Sequence, residues 1–435
     1  MGTQGANILN PTWMRLEGDF DEQVACLFQY VRLSREEVES FRGLFRDVEN
    51  TLRTQWPGCE VIPFGSVVTG MGIKTSDVDC YVHIPVWFRM AGDNLVISAR
   101  NVLRRRANIF AQLFAIANAK VPIVKFLHTP TRTNCDLSFK SPSGVRNSKL
   151  ICYLLHLDRR ALDLAILVKY WSKAHNLTGT NLMPNYALTL LVIFYLQHIE
   201  ILPPVCDLQK LVPYDYVDNW NTAFEEREHR NNNEWSLLQI LGGFFSYYSS
   251  YDFENSIVSP FLGYPIVREC FKKLSDVPEE FDLYKDLYKN GMCQPLKLDT
   301  PMCVQDPFDH SRNCTVGVFF KLSRKVCSYF KLAATLYESK SSAEFLRALL
   351  LTAAGVGAGA SQASRASQAS RASRASQASR ASRASQASQA GQAARASLHG
   401  KVSKPQHGQG FKTLKKAVRN NIQALYDHIN KKRKR

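Results

Sequence analysis

Three stretches of this chain hold a glycine and acids at spacings that suit phosphate chemistry. Gly65-Ser66 is followed ten residues later by Asp77-Val78-Asp79 at the head of an apolar run, and Asp136 lies in a second such run, Asn134 to Phe139. On a strand, residues two apart share a face, so the Asp77 and Asp79 carboxylates project together. Like charges side by side destabilise a strand surface. A divalent cation relieves that repulsion, because Mg²⁺ takes oxygen ligands from a couple of carboxylates plus substrate phosphates. Gly65 lets the backbone come close to a phosphate, and Ser66 suits the start of a helix whose free N–H groups face anionic oxygens. Asp136 is the candidate third ligand. Each feature alone is commonplace, and an Asp-x-Asp is more often a loop than a catalytic site. The ordered combination is much rarer.

The elements that position these residues are legible from periodicity. A short helix is expected around Asp21 to Leu33. Ser34 with Glu37 reads as a capping box, and Val38, Phe41, Phe45, Val48 and Leu52 repeat at three and four, an amphipathic helix ending before Pro57. Cys59 to Phe64 and Val78 to Ile84 read as strands. A helix is expected from Ala99 to Ala117, then strand-like Val121 to Leu127 and Asn134 to Phe139. After Pro142 the pattern turns almost wholly helical, with Asp158 to His175, Asn185 to His198 and Trp235 to Ser250 the clearest helices. The expected fold is α+β: a small mixed sheet flanked by helices, beside a mostly helical domain.

The order Gly-Ser, spacer, Asp-Val-Asp and distant Asp136 resembles the DNA polymerase β-like nucleotidyltransferase superfamily. Later segments narrow the resemblance: Asn147-Ser148, Lys169-Tyr170-Trp171-Ser172-Lys173, Asn185-Tyr186-Ala187-Leu188-Thr189-Leu190, and Gln305-Asp306-Pro307-Phe308-Asp309-His310-Ser311-Arg312-Asn313. Over about residues 35–350 the chain looks like the template-independent terminal uridylyltransferases and their sister RNA poly(A) polymerases, which carry a poly(A)-polymerase-associated domain. The resemblance implies a catalytic nucleotidyltransferase domain over 34–141. It implies a helical central domain from 1–33 and 142–354, with the polymerase-associated region at about 235–320, and an active site in the cleft between the two.

The resemblance also implies roles. Asp77, Asp79 and Asp136 would hold two Mg²⁺ or Mn²⁺ ions ~3.5–4 Å apart, which stabilise the attacking and leaving oxygens as an RNA 3′-hydroxyl attacks the α-phosphate of a nucleoside triphosphate. Gly65 and Ser66 would face the nucleotide. Lys169 and Lys173, one turn apart on one helix face, would neutralise the triphosphate, where the residues alone read as a solvated basic edge. Asn147 would bond the ribose 2′-hydroxyl, the group that marks RNA precursors. Tyr186 would stack on the base, although by itself it reads as core, and Asn185 stands where the family usually has Ser. Asp306, His310 and Arg312 fall in the base-reading segment. Uridylyltransferases carry His where this chain has Arg312, with His310 two residues earlier. Arg only donates hydrogen bonds, which suits uracil O4 and opposes the adenine N6 amino group, while adenine N1 stays within its chemistry. The expected reaction is UMP addition from UTP to RNA 3′ ends, with oligo- or poly(A) synthesis from ATP as the alternative and a catalytically idle RNA-binding scaffold as a third reading.

Composition agrees with a folded enzyme and adds a second part. The chain of 435 residues is 45% hydrophobic and carries a net charge of +17. Residues 355–435 hold 17 Lys and Arg against one acid, Asp427, which leaves the first 354 residues at +1. Residues 355–400 contain triplets of Ser, Gly or Ala, then Gln or Arg, then Ala, with nothing larger to bury; disorder is expected there. Residues 401–435 form a basic tail ending in Lys431-Lys432-Arg433-Lys434-Arg435, a run that suits nuclear entry or nucleic-acid binding. Eleven Cys without a C-x-x-C pair argue against a disulfide framework and fit a reducing cytoplasm or nucleus. No apolar run approaches the ~20 residues of a membrane span, and no leader is expected. The expected partners are an RNA 3′ end, UTP or ATP, and a protein that chooses the target, with the chain itself a monomer.

Overall fold

A computed structural model describes residues 8–89, 94–119 and 121–353. The expectations for the tail, 355–400 and 401–435, lie outside the described residues. Two helices open the chain, α1 (Phe20–Val31) and α2 (Arg35–Arg53), each behind a full capping box: Asp19 with Glu22, and Ser34 with Glu37. Strands β1 (Glu60–Phe64) and β2 (Val78–His83) follow, then helix α3 (Leu95–Arg104). Three strands complete the sheet: β3 (Phe110–Ile116), β4 (Ile123–His128) and β5 (Thr133–Ser138).

The sheet order is β1-β2-β5-β4-β3. The β2–β5 pair is parallel and the other pairs are antiparallel, so the sheet is mixed as expected. Period-two alternation divides its faces. Val78, Cys80, Val82, Val124, Phe126, Cys135 and Leu137 are buried with Phe41, Leu44 and Val48 of α2 and Ala99 and Leu103 of α3. Asp79, Lys125 and Asp136, at the intervening positions, share the opposite face and stand side by side across three strands, Asp79 opposite Asp136 and Asp136 opposite Lys125.

One expected element is corrected. The helix foreseen over Ala99 to Ala117 ends at Arg104, and its second half is β3. Phe110-Ala111-Gln112-Leu113 contains good helix formers, but pairing with β4 overrides that weak local preference. The register shifts between Ala111 and Phe114, where Gln112 takes a φ of 51°.

Beyond Pro142 the chain is mainly helical: α4 (Ser143–Leu157), α5 (Arg159–Ala174), α6 (Asn185–His198), α7 (Leu237–Ser250), α8 (Phe320–Ser339) and α9 (Ser342–Leu351). Two short strand pairs interrupt it, Tyr216–Val217 with Trp220–Asn221 and Ser256–Ile257 with Ile266–Val267. Helix α6 is apolar on nearly every side, so it is buried rather than amphipathic. Among the described residues no helix is long and apolar enough to cross a membrane. Trp171 lies at the centre of this second core, edge-on to Phe245 at 4.8 Å and stacked on Phe330 at 5.7 Å. Phe20, Val24, Leu27 and Val31 of α1 belong to the same core, so the chain's first helix packs with its helical half rather than with the sheet.

Candidate active site

The acids stand where β2 and β5 run side by side. Asp77 lies just before β2, one residue short of the strand expected to carry it, and remains exposed; Asp79 is on β2 and Asp136 on β5. Burial, then the charges of Asp136 and Asp77, push the Asp79 carboxyl up to about 7, against the opposing pull of Lys125 and Lys169. Burial also raises Asp136, less strongly because Lys125 donates to it at 2.7 Å. A cluster of carboxylates that resists ionising is one whose charge wants a cation.

Gly65 is the residue that allows this crowding. Its φ of +79° suits glycine, and a Cβ there would collide with Asp79 Oδ2. Its N–H donates to Ser148 Oγ at 2.8 Å, and Ser148 Oγ donates on to Gly144 O at 2.8 Å. The helix expected at Ser66 is absent: residues 66–70 form successive turns, with Thr69 N donating to Gly65 O at 3.2 Å. Ser66 therefore opens a series of turns and does not present a helix N-terminus.

The two lysines share a face of α5 as expected but differ in state. Lys169 Nζ donates to Met71 O at 2.9 Å and to Ser76 Oγ at 3.0 Å, which pins the segment leading into Asp77. Burial lowers Lys169 to about 7, with Lys173 adding to the shift and Asp79 and Asp77 opposing it. Lys173 is only half-buried; burial lowers it as well, against the attraction of Asp77.

A second group forms around Asp306, which is 1% exposed. Its Oδ1 accepts from the N–H groups of Phe308 (3.0 Å) and Asp309 (3.1 Å). Its Oδ2 accepts from Asn147 Nδ2 and Tyr186 Oη, both at 3.1 Å, and pairs with Arg312 Nη1 at 3.5 Å. The Arg312 guanidinium also lies 5.7 Å from the centre of the Tyr186 ring while its side chain keeps 40% of its exposure. Burial works against the charge of Arg312, and Cys314, Asp306, Tyr186 and Asp309 outweigh it and hold the guanidinium ionised. Asn147 and Ser148, neighbours on α4, thus join the two groups, one through Asp306 and the other through Gly65.

Two residues foreseen for this site make no side-chain hydrogen bond to Asp306. His310 is buried among Phe261 (4.2 Å), Phe281 (4.9 Å) and Trp220 (5.5 Å), with Nε2 3.3 Å from Pro307 O, and burial lowers it to about 3. It is a neutral core residue. Asn185 begins α6 beside Tyr186, but its side chain makes no hydrogen bond to the Asp306 group; its Oδ1 is buried without a partner. Conversely, Lys125 and Ser76 touch the site and were not anticipated. A lone lysine between Val124 and Phe126 in an apolar strand was the signal for Lys125; nothing in the spacing pointed to Ser76.

Do the acids suit a divalent ion? Among the described residues, no three His, Cys, Asp or Glu side chains already surround a common point. The donors nonetheless suit Mg²⁺ or Mn²⁺: hard carboxylate oxygens on paired strands, raised by burial and then by their neighbouring acids, with Lys125 as the lysine in direct contact.

Comparison with known proteins agrees with this architecture. Residues 20–156 match the family model "Poly(A) RNA polymerase, mitochondrial-like, central palm domain". The zebrafish (Danio rerio) speckle targeted PIP5K1A-regulated poly(A) polymerase is 25% identical over 375 residues, 74% of this chain and 47% of the relative. The mitochondrial poly(A) RNA polymerase of Drosophila melanogaster is 27% identical over 294 residues, 59% of this chain and 48% of the relative. The chain therefore spans about half the length of these curated relatives. Among solved structures, mtPAP in complex with ATPγS superposes with a TM-score of 0.66 at 21% identity, covering 79% of this chain and 75% of that one. The Cid1 poly(U) polymerase superposes with a TM-score of 0.62 at 22% identity, covering 76% and 98%. Residues 20–156 thus match a mitochondrial-like poly(A) RNA polymerase central palm domain, and the described chain shares the fold of mtPAP and Cid1.

Proposed function

We propose that the protein transfers ribonucleotides, without a template, to RNA 3′ ends, and that UTP is the preferred donor. The observation that carries the reading is the junction of two groups through α4: crowded carboxylates under Gly65, and the Asp306 carboxylate with Asn147, Tyr186 and Arg312 around it. Asp77, Asp79 and Asp136 would hold two divalent ions, which when bound neutralise the triphosphate and favour loss of a proton from the attacking hydroxyl. Lys173 would meet the triphosphate as a point charge. Lys169 fixes the approach to Asp77 and gains charge as anionic phosphate arrives. The RNA 3′-hydroxyl attacks the α-phosphorus, a new P–O bond forms, and pyrophosphate leaves.

Asn147 would meet the ribose and Tyr186 would stack on the base. Arg312, held by Asp306 over the Tyr186 ring, presents only donors. Uracil O4 accepts from a donor; the adenine N6 amino group does not, which favours UTP. The competing reading, ATP, draws on the names of the relatives, several of which are poly(A) polymerases. Incubating the protein with a single-stranded RNA, each NTP in turn and Mg²⁺ or Mn²⁺ separates them. Extension strongest with UTP is the expected result. Severalfold preference for ATP at equal concentration gives the poly(A) reading, and no extension by any NTP gives the idle scaffold.

Two further parts belong to this proposal. The catalytic domain is residues 34–141 and the helical domain 1–33 with 142–354. Nuclear action is proposed from the speckle-targeted relatives and from the terminal Lys-Lys-Arg-Lys-Arg run.

A further inference from the structure

Past the Asp306 group the chain turns through Asn313 to Val318 and enters α8. Cys314 N donates to Val304 O at 2.7 Å and Val318 N to Thr315 O at 2.9 Å, so the turn is fixed. At its end Phe319 and Phe320 are 75% and 66% exposed, with Val316 exposed beside them in sequence. Neither ring meets another aromatic among the described residues. Lys325, on the second turn, donates from Nζ to Asn176 O at 2.8 Å and His175 O at 3.3 Å. This ties the start of α8 to the end of α5, three residues past Lys173. The two rings thus follow the Asp306–Arg312 segment in sequence and head a helix that Lys325 ties to the end of the helix carrying Lys173, a fixed ledge.

The charge beside them has one sign. Helix α8 carries Lys321, Arg324, Lys325 and Lys331, and its only acid is Glu338 near the far end. Lys321 and Arg324 are exposed and form no ion pair among the described residues. Cations in the first turns of a helix oppose its dipole, which favours acids there. The first 354 residues are close to neutral, so this is a local concentration of charge. Exposed aromatic rings with unpaired cations alongside form the combination that receives single-stranded nucleic acid: bases stack on the rings and phosphates meet the cations.

We propose that Phe319 and Phe320, with Lys321 and Arg324, form a stacking platform for single-stranded RNA just behind its reacting 3′ end. The proposal rests on the 3′-end nucleotidyltransferase reading and adds where the acceptor strand lies. Tyr186 and Arg312 serve the incoming nucleotide; the ledge serves the strand being extended.

The test uses the full chain and a short single-stranded oligoribonucleotide with 2-aminopurine near its 3′ end, at about 0.3 M salt, where long-range attraction to the basic residues 355–435 is screened. Wild type should quench the probe. Phe319→Ala with Phe320→Ala should weaken RNA binding about tenfold and abolish the quench. It should raise KM for RNA while leaving KM for the nucleotide unchanged. Phe319→Tyr with Phe320→Tyr, which keeps both ring faces, should restore binding and quench. Lys321→Glu with Arg324→Glu should reduce the salt dependence of binding. Unchanged affinity and quench in the double alanine variant of an enzyme that extends RNA overturn the platform and leave the activity standing; the patch is then free to serve a protein. A wild type that quenches through these rings but transfers no nucleotide keeps the platform and overturns the activity.

Discussion

Lys125 Nζ lies 2.7 Å from Asp136 Oδ2, directly across the β4–β5 pairing from the acid that faces Asp79. The lysine therefore supplies the positive charge that, on the proposed function, divalent ions would supply when nucleotide binds. Without it, Asp77, Asp79 and Asp136 repel one another with no cation on the sheet face.

Lys125→Met follows from that pairing. Lys125 is 42% exposed, so the ion pair is partly screened and its loss should cost the metal-free protein no more than about 1 kcal/mol. The same change removes a competitor for Asp136, and Mn²⁺ should bind severalfold more tightly. Denaturant titration and Mn²⁺ binding followed by electron paramagnetic resonance check the two effects. Weaker Mn²⁺ binding would show that Lys125 orders Asp136 rather than competing for it.

Asp79→Asn tests the acids as a cost to the fold. The carboxyl is raised by burial and by its acidic neighbours, so a neutral isostere relieves the metal-free state. Transfer should fall by at least about 100-fold, because a ligand for the charged transition state is gone. Thermal stability without metal should hold or rise. A melting temperature that drops with the activity would make Asp79 a structural residue.

How much of this was legible in sequence divides along physical lines. Strands β2 and β5 and the acids on them were readable because alternation and like-charge spacing are local properties. The Asp306 segment and Asn147 are 159 residues apart, and only the resemblance to a family joined them before the fold did. His310 misled because chemistry-bearing type was read without its surroundings; three aromatic rings around it decide its role. The resemblance gave Lys169 a triphosphate where its spacing alone read as a solvated edge, and its bonds to Met71 and Ser76 depend on a loop that periodicity does not describe. Strand β3 was lost because its residues favour a helix locally and its partner strand lies later in the chain.

His310→Leu separates core from base reading. The buried, neutral ring contributes packing, so its replacement should destabilise the protein by roughly 1–3 kcal/mol. The ratio of UTP to ATP use in the remaining folded enzyme should not move. A changed ratio at unchanged stability would return His310 to the nucleotide site.

Arg312→Ala should act in the opposite sense, on selectivity rather than on stability. Arg312 is partly exposed and pairs with Asp306 at 3.5 Å, so the fold should lose little. With the donor to uracil O4 gone, kcat/KM for UTP should fall about tenfold and that for ATP by less, since one hydrogen bond to a charged group is worth roughly 1.5–3 kcal/mol. Equal losses for both nucleotides would mean that Arg312 only steadies Tyr186 and reads no base.

The last prediction concerns pH and Lys169. Its ammonium is lowered to about 7 in the folded protein, chiefly by burial, from an ordinary value of 10.5. Between those values the unfolded chain binds a proton at this lysine that the folded protein does not, so stability rises with pH across that window. Below about 7 both states are protonated, and the folded state bears the full cost of a buried charge. Lys169→Met removes the titration and keeps most of the volume. The stability of wild type relative to this variant should therefore climb from pH 7 toward pH 10 and stay flat below pH 6. Asp79 contributes a slope of opposite sign at lower pH, where its raised carboxyl favours the folded state below about 7; it is common to both proteins and cancels in the comparison to the extent that Lys169 leaves it unchanged. Urea unfolding of both proteins at intervals across pH 5.5–10 reads the difference directly. A difference that does not change with pH would mean that Lys169 keeps its charge in the fold, held by Met71 O, Ser76 Oγ and the acids of the site, and that it meets the triphosphate already ionised.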